Sequence, residues 1–358
     1  MSKIITRTLL PGLIFLFLLF SSCQKEIDID PDNPPPVPDE LPDSTLLIKS
    51  IAWLYEGGAD SLVESYMYDT VNRKITLNWT DSGIDPGDPA YQSEYNNSKA
   101  VLSYNNKGLL EKIDYSYPSS YIPWEFDFSS TEINYDNENI VEKIEVQYMG
   151  GSSSSRTFFK TKHPGGTYML QWEEYNPAIP DDGTTIRTVE YSQDNKVILN
   201  SRETLRIVNS ALHRYTWKDS LAYDNAGNVT KVFTFKTNDE DNTSEEYISE
   251  EYLGRELRGD QLYHQRELIL NGISNLPFGD NDEMISYAAG IMTFQMEYES
   301  AQYSKFPIKG AKARLWDGSY KNFQAIAGYD SRDRLTSFTG FYVDLDIVSV
   351  GYRINYYK

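Results

Sequence analysis

From residue 46 onward, apolar and polar residues alternate in short runs. Ile113, Tyr115 and Tyr117 alternate with Lys112, Asp114 and Ser116. Ile144, Val146 and Tyr148 alternate with Lys143, Glu145 and Gln147. Successive side chains of a β-strand point to opposite faces, so a period of two gives each strand one apolar and one wet face. This favours antiparallel sheet, because a parallel sheet covered on both faces reads as continuous apolar runs. The pattern predicts an all-β fold: a strongly twisted antiparallel sheet or partly closed barrel of roughly 14 to 18 strands.

A recurring five-residue unit punctuates the strands. It occurs as Tyr68-Asp69-Thr70-Val71-Asn72, Tyr104-Asn105-Asn106-Lys107-Gly108, Tyr135-Asp136-Asn137-Glu138-Asn139, Tyr191-Ser192-Gln193-Asp194-Asn195, Tyr223-Asp224-Asn225-Ala226-Gly227 and Tyr329-Asp330-Ser331-Arg332-Asp333. An apolar residue usually follows two positions later: Leu110, Val141, Val197, Val229, Leu335. Asp, Asn or Ser after the tyrosine can bond the backbone ahead and start a type I turn. Gly, Asn or Asp three residues on tolerates the left-handed conformation that closes a hairpin. Each unit therefore reads as strand, tight turn, strand. Successive tyrosines lie at multiples of roughly 30 residues, a spacing that marks repeat architectures. A faded copy sits at His163-Pro164-Gly165-Gly166.

These units resemble the YD repeats of Rhs-type proteins, most closely at Tyr223-Asp224-Asn225-Ala226-Gly227-Asn228-Val229-Thr230. The body as a whole is similar to a family of Bacteroidetes lipoproteins with a porin-like β fold. The resemblance covers most of 46–240 and about 320–358. It implies a β-hairpin array in a cell-envelope protein. The stretch 250–320 departs from the pattern, and Asn281 to Ala289 is expected to form a short helix after Asp280.

The first residues differ in kind. Lys3 and Arg7 precede a twelve-residue apolar run, Leu9 to Phe20. That is too short for a spanning helix, which needs about 20 residues, and has the length of a secretory signal. Ser21 and Ser22 then precede Cys23, the single cysteine of the chain. Phe20-Ser21-Ser22-Cys23 resembles the lipobox of bacterial prolipoproteins, which implies a signal peptide over 1–22 and lipidation of Cys23. Lys25-Glu26 and Asp28 resemble the surface-export signal of Bacteroidetes lipoproteins. Residues 23–45 form a linker with Pro31, Pro34, Pro35, Pro36, Pro38 and Pro42, seven acids and one base. Proline and like charges keep such a segment extended. Residues 46–358 then form one β-rich repeat domain. The expected setting is the outer membrane, lipid-anchored and surface-exposed.

Charge narrows the partners. The net charge is −20. Loss of Lys3 and Arg7 leaves 31 basic against 53 acidic residues, or −22. Such a body repels phosphate backbones, so nucleic acid is excluded as a partner. Membrane contact is expected through the lipid anchor.

Chemistry-bearing motifs are sparse. His163, His213 and His264 fall in no metal-ligand spacing, and the sequence has no HExxH, GxSxG or phosphate-binding glycine loop. No catalytic residue, cofactor or metal is assigned. Asp28, Asp30 and Asp32 mimic a calcium loop, but Asn33 replaces its glycine and Pro34 to Pro36 forbid its course. Asp43-Ser44-Thr45, Asp60-Ser61-Leu62, Asp69-Thr70-Val71 and Asp219-Ser220-Leu221 resemble the O-glycosylation sequon of Bacteroidetes exported proteins; Ser44, in the open linker, is the best candidate. Trp53, Trp79, Trp124, Trp172, Trp217 and Trp316 are candidates for a sugar-stacking platform, since aromatic faces combine apolar area with a polar rim. The leading expectation is a binding or scaffolding module for glycan or protein. The rivals are a glycan hydrolase with a non-local carboxylate pair and a purely structural envelope protein. An exposed aromatic cluster on a concave face favours the first.

Overall fold

The computed structural model describes residues 47–54, 60–81, 98–117, 128–175, 184–208, 211–276, 303–314, 318–343 and 347–357. The first strands are β1 (Ile48–Leu54), β2 (Asp60–Asp69), β3 (Lys74–Asp81), β4 (Lys99–Tyr104) and β5 (Leu110–Ser116). They continue as β6 (Phe128–Tyr135), β7 (Val141–Tyr148), β8 (Ser153–Thr157), β9 (Phe159–Lys162) and β10 (Tyr168–Tyr175). Next come β11 (Thr184–Tyr191), β12 (Val197–Val208), β13 (Ala211–Tyr223), β14 (Val229–Asn238) and β15 (Thr243–Tyr252). A helix, α1 (Gln261–Ile269), precedes β16 (Gly310–Arg314), β17 (Tyr320–Tyr329), β18 (Leu335–Tyr342) and β19 (Ile347–Tyr356).

All nineteen strands belong to one antiparallel sheet. Each pairs with its chain neighbour, and β1 pairs with β19 as well as with β2. The result is a nearly closed up-and-down barrel. The seam lies at β8 and β9: β8 pairs with β7, and β9 pairs with β10. Only Phe158 separates them. Its N–H reaches Glu142 O at 2.8 Å, and its buried ring lies 5.2 Å from that of Trp172. The two short strands fill one place in the wall, which is why the count exceeds the expected 14 to 18.

The alternation sorts the wall into two faces. Leu77, Leu102, Ile113, Ile133, Ile144 and Val189 are buried and belong to one continuous core. Each such side chain contributes roughly 1.5–3 kcal/mol by leaving water. The intervening residues face outward and are mostly polar. Lys112 bridges Asp114 at 2.9 Å and Lys143 bridges Glu145 at 2.7 Å, each pair along the outer face of one strand. Met67, Phe159, Phe233, Phe235 and Ile326 are among the exposed exceptions, and Phe235 stands in register between Lys218 and Glu246. A membrane-spanning barrel shows the reverse arrangement, an apolar band outward. No described helix is long and apolar enough to cross a membrane.

The repeat units form tight turns at one end of the barrel. In five of them the residue three after the turn's first position has positive φ: Gly108 (77°), Asn139 (65°), Asn195 (59°), Gly227 (84°) and Asp333 (58°). Gly227 N–H returns to Asp224 O at 3.1 Å, and Asp224 N–H reaches Asn228 O at 2.9 Å. Asp224 Oδ1 accepts from the N–H groups of Ala226 and Asn228. The same bonds recur after Asn105, Asp136 and Asp330. The faded copy closes alike, with His163 N–H on Thr167 O at 2.9 Å. The apolar residue two positions on is buried every time: Leu110, Val141, Val197, Val229, Leu335.

The first unit differs. Asn72 was expected in the left-handed region, but Arg73 holds it, with φ 52°. Asp69 pairs with Lys74 without a bulge, so this loop needs one more residue. Asn72 instead donates its backbone and side-chain N–H groups to the Asp69 carboxylate.

The tyrosines at this end point inward and bond backbone carbonyls. Tyr68, Tyr135, Tyr223 and Tyr356 donate to Ile48 O (2.9 Å), Leu110 O (2.7 Å), Val197 O (2.6 Å) and Leu335 O (2.7 Å), each acceptor opening a strand. Three others bond the segment that crosses this end between β15 and β16. Tyr104, Tyr191 and Tyr329 donate to Ile269 O (2.8 Å), Asn275 O (3.2 Å) and Arg258 O (3.5 Å). Strand-opening N–H groups do likewise: Leu110 reaches Asn271 O, Leu335 reaches Gln261 Oε1, and Val229 reaches Ser304 Oγ. Helix α1 buries Leu262, Gln265, Arg266 and Ile269, followed by buried Leu270, Ile273 and Leu276. This segment is a plug, tied to the turns of distant repeats. The helix expected at Asn281 to Ala289 lies outside the described residues.

Candidate functional site

At the end opposite the plug, strands β12 and β13 run to 12 and 13 residues, past the apolar layer. Alternation carries the core-facing row of β13 from Leu221 through Asp219 and Trp217 to Tyr215. Its register neighbours follow the same change, from Val232 and Thr234, both buried, to Lys236 and Asn238 on β14. Arg202, Thr204 and Arg206 continue the row on β12, and Thr243 and Glu245 on β15. These residues line a concave basin of about 460 Å³. A single sheet face therefore passes from apolar core to polar–aromatic basin along its strands.

Aromatic rings and cations interleave in the basin. Lys236 Nζ lies 3.5 Å from the Trp217 ring centre and 5.5 Å from that of Tyr247. The Arg314 guanidinium lies 3.9 Å over Tyr247, and that of Arg206 5.6 Å over Tyr215. The floor is fixed by Asp219, which accepts from Trp217 Nε1 at 2.9 Å and from Thr234 Oγ1 at 2.5 Å. Burial raises the Asp219 carboxyl above its ordinary range, while these two donors and the nearby Lys236 and Arg202 pull it back. Glu245 faces Arg314 at 3.4 Å, and the Tyr215 hydroxyl donates to Glu240. The carboxylates at the basin are thus each engaged by neighbours.

Of the sequence candidates, Trp79 and Trp172 are buried core residues. Trp217 is 42% exposed and stands in the basin. The side chain of Trp53 and all of Trp124 and Trp316 lie outside the described residues, as do Cys23, Ser44 and Asp28 to Asp32. Thr70 is exposed in the first turn and Ser220 on the outer face of β13. His213 approaches Asp239 and His264 approaches Asp260, at 3.3 and 3.1 Å. Among the described residues no group of His, Cys, Asp or Glu has the arrangement of a metal site.

Two features escaped the sequence reading. The first is a narrow cavity of about 200 Å³ under the plug, bordered by Asn139, Asn195, Glu267 and Asn271. The second is Glu64, fully buried on the core face of β2. Trp79 Nε1 donates to its Oε2 at 3.0 Å, while Oε1 makes no hydrogen bond. Burial raises its pKa to about 8; the Trp79 bond and the adjacent Tyr66 hydroxyl, itself out of hydrogen-bonding geometry, oppose that rise. An acidic residue within an alternating strand reads as outward, and only the register Ile51–Glu64–Trp79 reveals that it faces in.

No family model matches the chain, and no curated protein matches it. Among solved structures it is similar to a porin-like protein from Bacteroides uniformis ATCC 8492. The identity is 11%, the TM-score 0.37, and the match covers 86% of this chain and 96% of that one.

Proposed function

We propose that the protein is a lipid-anchored cell-envelope binding module that takes a sugar chain in the Trp217 basin. The observation behind this reading is the half-exposed Trp217 ring, set among Tyr215 and Tyr247 on a concave face. Core aromatic residues are buried as a rule, so a solvated tryptophan held in place by Asp219 calls for a ligand-facing role. Flat apolar ring faces rimmed by polar groups suit sugar rings. The engaged carboxylates speak for binding rather than hydrolysis. The N-terminal features — Lys3, Arg7, the Leu9 to Phe20 run and Cys23 — support export and anchoring at the outer membrane, with the body on the surface.

A glycan array probed with the detergent-solubilised mature chain tests the binding role. Specific glycan binding that Trp217→Ala removes, with an unchanged melting temperature, supports it. Absence of binding to any glycan, or binding untouched by Trp217→Ala, overturns it. The anchor is tested separately. Cys23→Ala should end fatty-acid labelling and membrane partition, and persistent labelling would refute lipidation.

A further inference from the structure

Resting on the sugar-binding reading above, we propose that the basin selects acidic sugar chains, those bearing uronate carboxylates or sulfate esters. The first argument is charge contrast. The chain carries 53 acidic against 33 basic residues, yet the basin is lined by Arg202, Arg206 and Lys236 against Glu245, with Asp219 at its floor and Glu240 beside Tyr215 each held by hydrogen bonds. Glu245 faces Arg314. A positive pocket in an acidic body marks a place where the general repulsion of anions is reversed locally.

The second argument is the placement of cations on rings. Lys236 lies over Trp217, Arg314 over Tyr247 and Arg206 over Tyr215. A ligand approaching any of these rings meets an ammonium or guanidinium group first. A neutral sugar would have to displace a cation from a favourable seat. An acidic sugar pairs with that cation and keeps the ring as its apolar floor. Arginine suits this role because its planar fork matches carboxylate and sulfate oxygens.

The third argument is spacing. Arg202 and Arg206 lie four residues apart on β12, about 13 Å along the strand at ordinary strand rise. Lys236 lies two strands away, about 10 Å across the sheet. Cations rooted so far apart fit a chain with repeated charges better than one small anion.

Calorimetric titration of the detergent-solubilised mature chain tests this. The probes are a sulfated glycosaminoglycan, polygalacturonate, a neutral dextran of matched length and a DNA oligonucleotide. An acidic polysaccharide should bind, weaken as salt rises, and lose roughly tenfold in affinity with either Lys236→Met or Arg206→Gln. The two acidic probes distinguish sulfate from carboxylate recognition. Trp217→Ala should weaken binding as well, and DNA should fail to compete, which a merely electrostatic surface would not show. Dextran binding as tightly as both acidic chains, unaffected by Lys236→Met, would overturn the acidic preference and leave the sugar-binding reading intact. Equal competition by DNA would also overturn it. If no polysaccharide binds, the sugar-binding reading falls, and this inference with it.

Discussion

Gly227 shows how much conformational demand rests on one backbone angle. Its φ is 84°, and an added Cβ would meet nothing closer than Lys196 Cε at 3.4 Å, so there is room for a side chain but not the right backbone. Gly227→Val should lower stability by roughly 1–2 kcal/mol more than Ala226→Val, read by urea denaturation, because L-residues clash with their own carbonyl in the left-handed region. Asn195→Gly should be neutral or mildly stabilising. Asn139→Gly should gain less, since Asn139 Oδ1 also accepts from Lys107 Nζ at 2.8 Å. Glu64 makes a different kind of demand. Its folded pKa is raised from 4.5 to about 8, so between those values the folded state holds a proton that the unfolded state has released. The Glu64 contribution to stability therefore falls as pH rises from about 4.5 through 8, by a few kcal/mol in total. Glu64→Gln keeps the shape and removes the titration. Its melting temperature should match the parent at pH 4.5 and exceed it at pH 8; a parallel pH profile for the two proteins would show that Glu64 ionises freely.

At the scale of elements, the tyrosine bonds join each hairpin to the next and to the plug. Tyr223→Phe removes the donor to Val197 O and leaves a partly buried carbonyl unmet, at a cost of about 1–2 kcal/mol by thermal denaturation. Tyr104→Phe should act locally instead. It releases Ile269 O, so amide exchange across 261–276 should quicken while β10 to β14 keep their protection. The hairpins were legible because each turn writes its own chemistry: Asp224 starts it, Gly227 closes it, and Val229 resumes the core. The plug was not legible. The buried face of α1 includes Gln265 and Arg266, which read as polar in a periodicity. Its partners, such as Tyr68, lie as far as 197 residues away. The loop after Asp69 was misplaced by one residue because an unbulged register is invisible in the motif itself.

At the scale of the molecule, one barrel wall forms both the core and the Trp217 basin, and position along the strand decides which. Trp79 and Trp172 lie four residues from the turn-end positions Ile75 and Tyr168, inside the apolar layer. Trp217 lies six residues from Tyr223, beyond that layer. All three follow the same alternation, so the sequence named Trp217 among six candidates without ranking it. At the seam two short strands share one place in the wall. Phe158→Ala should cost about 3–5 kcal/mol in urea denaturation, because it empties the gap between two half-strands. Deletion of residues 24–42 should leave the melting temperature nearly unchanged, since so polar and proline-rich a segment packs little. A drop of several degrees would show that it lies against the body.

The pairing of β1 with β19 fixes how such a body is held. Ile48 stands opposite Tyr356, and Tyr357 N–H bonds Leu47 O, so the chain enters and leaves the wall side by side at the plugged end. The Trp217 basin lies at the far rim, roughly the length of a strand away. The paired first and last strands thus open and close the wall at one pole, and the basin stands at the other.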